Sequence, residues 1–466
     1  MLSNSFQTNY VLVEPQNARF TPCRHKKSEE KAYYLGVIYG YRHETKERCL
    51  VGASGKGYLG VVKYLVLEGA DVHAEYDCAL KLASERGHLE VVKYLVSQGA
   101  NVHANHEYAL ACASGSGHLE VVKYLILEGA DVHADDDYVL ELASLEGHLE
   151  VVKYLILEGA DIDRALISAS CGGHLEVIEY LIGVGADVHA IDNEALVCAS
   201  KGGHLGAVKY LISQGGDVHA QDNRALKWAS GDGHMDVVKF LVLNKADVHA
   251  DDDKALREAS AWGRLDVVKY LVSQGADVHV LHDEALKSAS ESGQLEVVKC
   301  LIGVGADVHA DEDYALRWAS EGGHMEMVKY LVGVGAEVHA EDDEALRLAS
   351  MNGWLEVTQY LVGVGADVHA NHDGALGSAS GNGWLEVVKY LMESGADVHA
   401  YDDYALRWAS YYGHSEVVKY LMESGANVHA NNDEALKCAS RNGHLEVIKF
   451  LAPDEANVHA SDNEMK

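Results

Sequence analysis

The segment GHLEVVKYLVSQGANVHANHEYALACASGSG, residues 87–117, returns with variation every 30 residues through most of the 466-residue chain, and no other feature constrains the fold as strongly. A unit this short cannot bury an apolar face alone. It must stack, so the chain forms one elongated array in which each unit packs on its neighbours. The Leu of the "AL" motif or its variants occurs fourteen times, from Leu50 and Leu80 through Leu166 and Leu196 to Leu406 and Leu436. Aligning on "LEVVKYL" instead gives steps of 30 everywhere except between Leu149 and Leu175, where the step is 26.

In DEDYALRWASEGGHMEMVKYLVGVGAEVHA, residues 311–340, the positions Leu316, Ala319, Met325, Val328, Leu331 and Val332 follow helical spacing, interrupted by Gly322 and Gly323. This predicts two short helices joined by a tight turn, and an all-α chain. Asp or Asn stands three residues before nearly every first-helix Leu, as at Asp77, Asp137, Asn193, Asn223, Asp253, Asp313 and Asp403, and reads as an N-cap. Gly99, Gly129, Gly335 and Gly365 close the second helices, where a left-handed residue is needed. The small Ala-Ser pair of the first helix, such as Ala319 and Ser320, lets neighbouring helix axes approach. Neither helix is long enough to be stable alone, so contacts between units supply most of the stability.

The formal charge of −34 repels phosphate, which argues against nucleic acid and anionic membranes and favours a basic partner. Apolar runs stop short of the ~20 residues of a membrane span, and the N-terminal stretch lacks the pattern of an export signal. The eight Cys include no CxxC pair. Cys112, Cys198 and Cys438 share one first-helix slot and read as small core residues in a reducing compartment.

These residues resemble the ankyrin repeat. GHLEVVKYLVSQGANVHA, residues 87–104, is very close to that family's second helix and the start of its finger, and the likeness covers about residues 49–460. The usual ankyrin period is 33 and its first helix opens T-P-L-H. Here the period is 30 and the opening reads Y-A-L-R or E-A-L-K, so three residues are missing from the finger. The shortened form resembles the ankyrin proteins that giant DNA viruses of amoebae encode in many copies. The resemblance implies an α-solenoid of helix-turn-helix repeats, with fingers projecting from one edge and a concave face made of finger tips and first helices.

Residues 1–27 are unassigned, residues 28–48 read as a degenerate N-terminal capping half-repeat, fourteen repeats follow over 49–460, and 461–466 form a tail. Pro453 should stop the last helix early. The 26-residue step, GADIDRAL at 159–166, lacks the "HA" and the two residues after it. It predicts a missing finger that leaves a notch in the recognition edge, the alternative being repacked helices on both sides; a neutral deletion explains its origin.

Several constellations invite chemistry. His73, His103, His133, His189, His219, His249, His279, His309, His339, His369, His399, His429 and His459 recur in "VHA" or "VHV". Zinc needs ligands ~2.0–2.1 Å from one ion, whereas equivalent residues of stacked units stand about a helix diameter, ~10 Å, apart. A structural His ladder is therefore expected, and the "GH" residues, among them His88, His118, His324 and His444, read as structural too. Acidic runs at 135–137, 251–253, 311–313 and 341–343 lack an EF-hand pattern and read as capping and solvated charge, with attraction of a basic partner as their functional meaning. No P-loop, G-x-S-x-G or HExxH occurs, so no catalytic, cofactor or metal residue is assigned. Trp228, Trp318 and Trp408, in one first-helix slot, read first as partly buried core filling, and the Tyr of "KYL" as packing.

Variation concentrates in two slots, the pair after "HA" and the pair between "AS" and the turn Gly. In the ankyrin family the matching positions line the concave face and contact partners. The resemblance therefore implies a partner-binding set of Tyr76, Arg86, His106, Trp262, His282, Met351, Tyr401, Tyr404, Tyr411 and Tyr412, in which Tyr401, Tyr404, Tyr411 and Tyr412 form an aromatic patch. The expected function is a monomeric, non-enzymatic interaction scaffold that binds a basic, host-derived protein on an acidic concave face inside the host cell. Two alternatives differ in class: an adaptor that recruits host proteins to the ubiquitin machinery, and a structural protein with no specific partner.

Overall fold

The computed structural model describes residues 45–452. The expectations for residues 1–44 and for the chain end, including Pro453 and His459, lie outside them. The chain divides into two compact bodies, Met1–Ala165 and Leu166–Lys466, built on the same plan. Among the described residues there are 28 helices, from α1 (Lys46–Lys56) to α28 (Leu445–Leu451), and no strands. A first helix such as Ala104–Gly115 is followed by a turn at Gly117, whose φ is 74°, and by a nine-residue second helix, Leu119–Leu127.

Each pair buries Leu of the first helix with Val, Val and Leu of the second; Leu110, Val122 and Leu125 are fully buried. Such a side chain contributes about 1.5–3 kcal/mol on burial. Ala113 and Ser114 are also fully buried where neighbouring first helices meet. In three units the buried hydroxyl is met locally, where Ser170, Ser290 and Ser320 donate to the carbonyls of Leu166, Leu286 and Leu316 at 2.7–2.8 Å.

The second helices end as expected, with Gly99, Gly129, Gly335 and Gly365 at φ 96–113°. Lys245 occupies this slot in one unit and is forced to φ 77°. A side chain in the left-handed region costs about 1 kcal/mol. Lys245→Gly should therefore raise stability by about 1 kcal/mol, read as a higher urea midpoint; an unchanged or lower midpoint would show that the Lys245 side chain compensates for its backbone.

The first helices do not begin as expected. Glu75, Tyr76 and Asp77 have φ/ψ of 53/44°, 58/50° and 58/35°, a left-handed turn repeated in other fingers. An N-cap needs extended backbone, so Asp77 and its equivalents are not N-caps. Thr45 before α1 is one: it is extended, and its hydroxyl accepts from Arg48 N–H at 3.4 Å. Three left-handed residues turn the chain back within a finger three residues shorter than usual. At the 26-residue step the missing residues are the His, the Ala and the first two of this triplet, and α9 (Ile162–Gly172) starts two residues after Ala160.

Candidate partner-binding face

What the left-handed turn achieves is to aim the third residue of each finger at the next one. Asp77 is buried, and its Oδ1 accepts the backbone N–H of Asn101 at 2.8 Å. The same bond, 24 residues long in sequence, recurs at 2.7–2.9 Å from Asp217 to Asn193, Asp277 to Asp253, Glu337 to Asp313, Asp397 to Asp373 and Asn427 to Asp403. The "VHA" His supports this acceptor from its own finger. Nδ1 of His73, His103, His133, His189, His249, His279, His309, His339, His369, His399 and His429 lies 2.6–3.2 Å from the Asp, Glu or Asn four residues on. The His219 backbone N–H donates to Asp217 at 2.8 Å. In eleven fingers the imidazole Nδ1 thus engages its own finger. Among the described residues no three His, Cys, Asp or Glu side chains converge as metal ligands.

A second link exchanges the roles of side chain and backbone. Nε2 of His118 meets the carbonyl of Glu85 at 2.9 Å, 33 residues back, and His148, His234, His414 and His444 repeat the contact at 2.8–3.0 Å. A carbonyl only accepts, so Nε2 carries the proton. Where the slot is not His, the donor is kept: Arg264 Nε donates to Gly231 O at 2.9 Å, and the indoles of Trp354 and Trp384 donate to Glu321 O and Met351 O at 2.7 and 2.8 Å. On the second helices, Lys of one unit stands over an aromatic ring of the next, as Lys63 over Tyr94 at 5.5 Å and Lys299 over Tyr330 at 5.9 Å.

On this frame the variable slots are open. Tyr76, Trp262, Tyr401, Tyr411 and Tyr412 are exposed, as are the side chains of Arg86, His106 and His282, while Met351 and Tyr404 are half-buried. Most stand apart; His106 meets Asp135 of the next finger at 3.4 Å and Arg86 meets Glu85 at 3.6 Å. Tyr401, Tyr404, Tyr411 and Tyr412 do come together, through the half-buried Trp408. Trp408 lies 5.7 Å from Tyr404, 5.9 Å from Tyr411 and 5.4 Å from Tyr412, centroid to centroid, and His372 stacks on Tyr401 at 5.7 Å. Arg407 lies over Tyr401 and Tyr404 at 5.8 and 5.5 Å. The Trp slot is partly open elsewhere too: Trp228 is 39% exposed, with Lys201 Nζ 4.3 Å from its ring centroid, and Trp318 is half-buried. The slot lies one turn before the variable pair, on the same first-helix face, and that spacing was the available signal.

The acidic runs split likewise. Asp253, Asp313 and Asp343 are buried in the finger ladder, so in these three runs only the first two residues face water. Some tips are neutralised within the chain: a hydrogen bond from Lys227 at 3.0 Å holds the Asp251 carboxyl below the usual carboxylate range, and one from Lys287 at 2.6 Å does the same for Asp311. Between neighbouring tips the acids meet one another: a hydrogen bond with the Glu312 carboxyl, and then its charge, lifts the Glu341 carboxyl of the next finger above the ordinary value.

The family model described as "Ankyrin repeats (3 copies)" matches residues 50–136, 140–222, 217–282, 286–372 and 376–462. Among solved structures, the human ASB11 ankyrin repeat domain is similar at 23% identity and a TM-score of 0.38, over 41% of this chain and 96% of that one. No curated protein matches.

Proposed function

Because the chain belongs to the ankyrin-repeat family, whose repeats are protein–protein interaction modules, we propose that it is a non-enzymatic scaffold that binds a basic partner protein on its first-helix and finger face. The aromatic run from His372 to Tyr412 carries this reading. Its open rings and the adjoining Arg407 are the residue types that dominate binding hot spots. A whole aromatic side chain buries on the order of 150–250 Å², and Tyr401, Tyr411 and Tyr412 keep roughly half of their surface open. The Glu312 and Glu341 pair supports a basic partner, since two adjoining carboxylates favour a cation beside them. Likeness of the 30-residue form to ankyrin proteins of amoebal giant viruses directs the search to host-cell lysates.

The test uses the full chain as bait beside a double variant, Tyr411→Ser with Tyr412→Ser. A partner held by this patch should bind the variant at least about tenfold more weakly, and thermal unfolding should barely move. The phenol rings leave the links between units alone, because it is the Tyr411 carbonyl that accepts from His444 and Asn442. Equal capture by both baits would remove the patch from the binding face, and a collapse in stability would make the two tyrosines structural.

A further inference from the structure

A residue just after the Ala-Ser pair of one first helix faces the residue 27 positions later, just before the Ala-Ser pair of the next. The gap is seen at four glycines. A Cβ built on Gly55, Gly115, Gly231 or Gly381 lies 3.5, 3.6, 3.4 or 3.3 Å from Cβ of Leu82, Leu142, Glu258 or Trp408. Disulfides span Cβ separations of about 3.5–4.5 Å. In this pair of slots Cys112 faces Glu85 and Cys438 faces Tyr411, but Cys171 faces Cys198. Neither belongs to the core: Cys171 is exposed, Cys198 is half-buried, and both are free thiols. The two helices, α9 (Ile162–Gly172) and α11 (Ala190–Lys201), are held in register beside them by His204, whose Nε2 meets the Cys171 carbonyl at 3.0 Å.

We propose that Cys171 and Cys198 form a preorganised dithiol that closes reversibly to a disulfide across two adjacent repeats when the chain meets a low-molecular-weight disulfide.

The two sulfurs are not equivalent. A hydrogen bond from the Cys198 thiol holds Cys171 below the ordinary thiol range, while the same contact and burial push Cys198 up. Cys171 is therefore the nucleophile. Its thiolate attacks one sulfur of the small disulfide, forms a mixed disulfide and expels one small thiolate. Cys198 then loses its proton and attacks the Cys171 sulfur, forming the protein S–S bond and expelling the second thiolate. Two protein thiols are oxidised, one small disulfide is reduced to two thiols, and a reducing thiol pool reverses both steps. Cys112 provides the contrast, since burial pushes its thiol up to about 11 with no second sulfur opposite.

The experiment treats the full chain with oxidised glutathione, alkylates the remaining thiols and maps peptides without reduction. The expected product links Cys171 to Cys198, with alkylation lost at both together and retained at Cys112 and Cys438. Cys198→Ser should halt at glutathione on Cys171, and Cys171→Ser should leave Cys198 alkylable. The proposal is overturned if the natural chain accumulates glutathione on Cys171 with Cys198 still alkylable, or if neither sulfur reacts. It is also overturned if the link forms as readily in urea-unfolded chain, because the pair would then not be preorganised.

Discussion

Replacing Asp313 with Leu is expected to cost about 1.5–3 kcal/mol, the loss of a charge-assisted hydrogen bond from a part-buried N–H. Asp313 is 4% exposed, accepts the Glu337 N–H at 2.8 Å and lies 3.1 Å from His309 Nδ1. Leu meets neither partner. The readout is twofold: a lower urea midpoint and faster hydrogen exchange of the Glu337 amide. Asp313→Asn should cost less than about 1 kcal/mol, because Asn193 and Asn223 already hold this slot and accept from Asp217 and Asp247 at 2.8 Å. Glu312→Leu at the exposed tip should change stability little. If the Leu variant at 313 unfolds like the natural chain, the finger ladder is not a source of coupling between units.

Gly323→Ala is expected to destabilise by about 2–3 kcal/mol, combining left-handed backbone strain with overpacking. Gly323 has φ 71°, and a Cβ there would lie 2.4 Å from Cδ2 of Trp354. Relief requires the indole to leave its bond to Glu321 O. In the reverse experiment, Trp354→His should be nearly neutral, since His in this slot elsewhere donates to the same carbonyl. The indole emission lost on Trp354→His, compared with and without Gly323→Ala, isolates Trp354 among the six Trp and reports the displacement. An unshifted spectrum with unchanged stability in the Ala variant would contradict the packing of that ring on its neighbour's turn.

Features set by the chain's own neighbours in sequence were legible. Helix pairing, the burial of the Leu and Val stripes, the left-handed Gly at second-helix ends and the exposure of the variable slots all follow from periodicity and local backbone demand. The role of the finger Asp was not, because an Asp three residues before a helical Leu fits an N-cap equally well. Only the sign of φ at Asp77 or Asp313 separates the two, and their true partner lies 24 residues away. Trp408, half-buried as its slot predicted, was legible as to burial but not as to the rings it joins. A large aromatic at helical spacing suits a core, and its neighbours Tyr404 and Tyr412 become decisive only once the helix face is known. The pairing of Cys171 with Cys198 needs the offset of 27 between adjoining helices, a property of the stack and of no single unit.

The two links between neighbours have a fixed span and direction, one amide reaching back 24 residues and one ring reaching back 33. Removal or insertion of whole 30-residue periods, cut at any phase, sets every donor before an equivalent acceptor again. Unequal recombination between near-identical repeats of the gene would therefore yield foldable products at each crossover. They would differ in length and in which variable side chains they display, so copy-number change becomes a route to new recognition surfaces that needs no new scaffold.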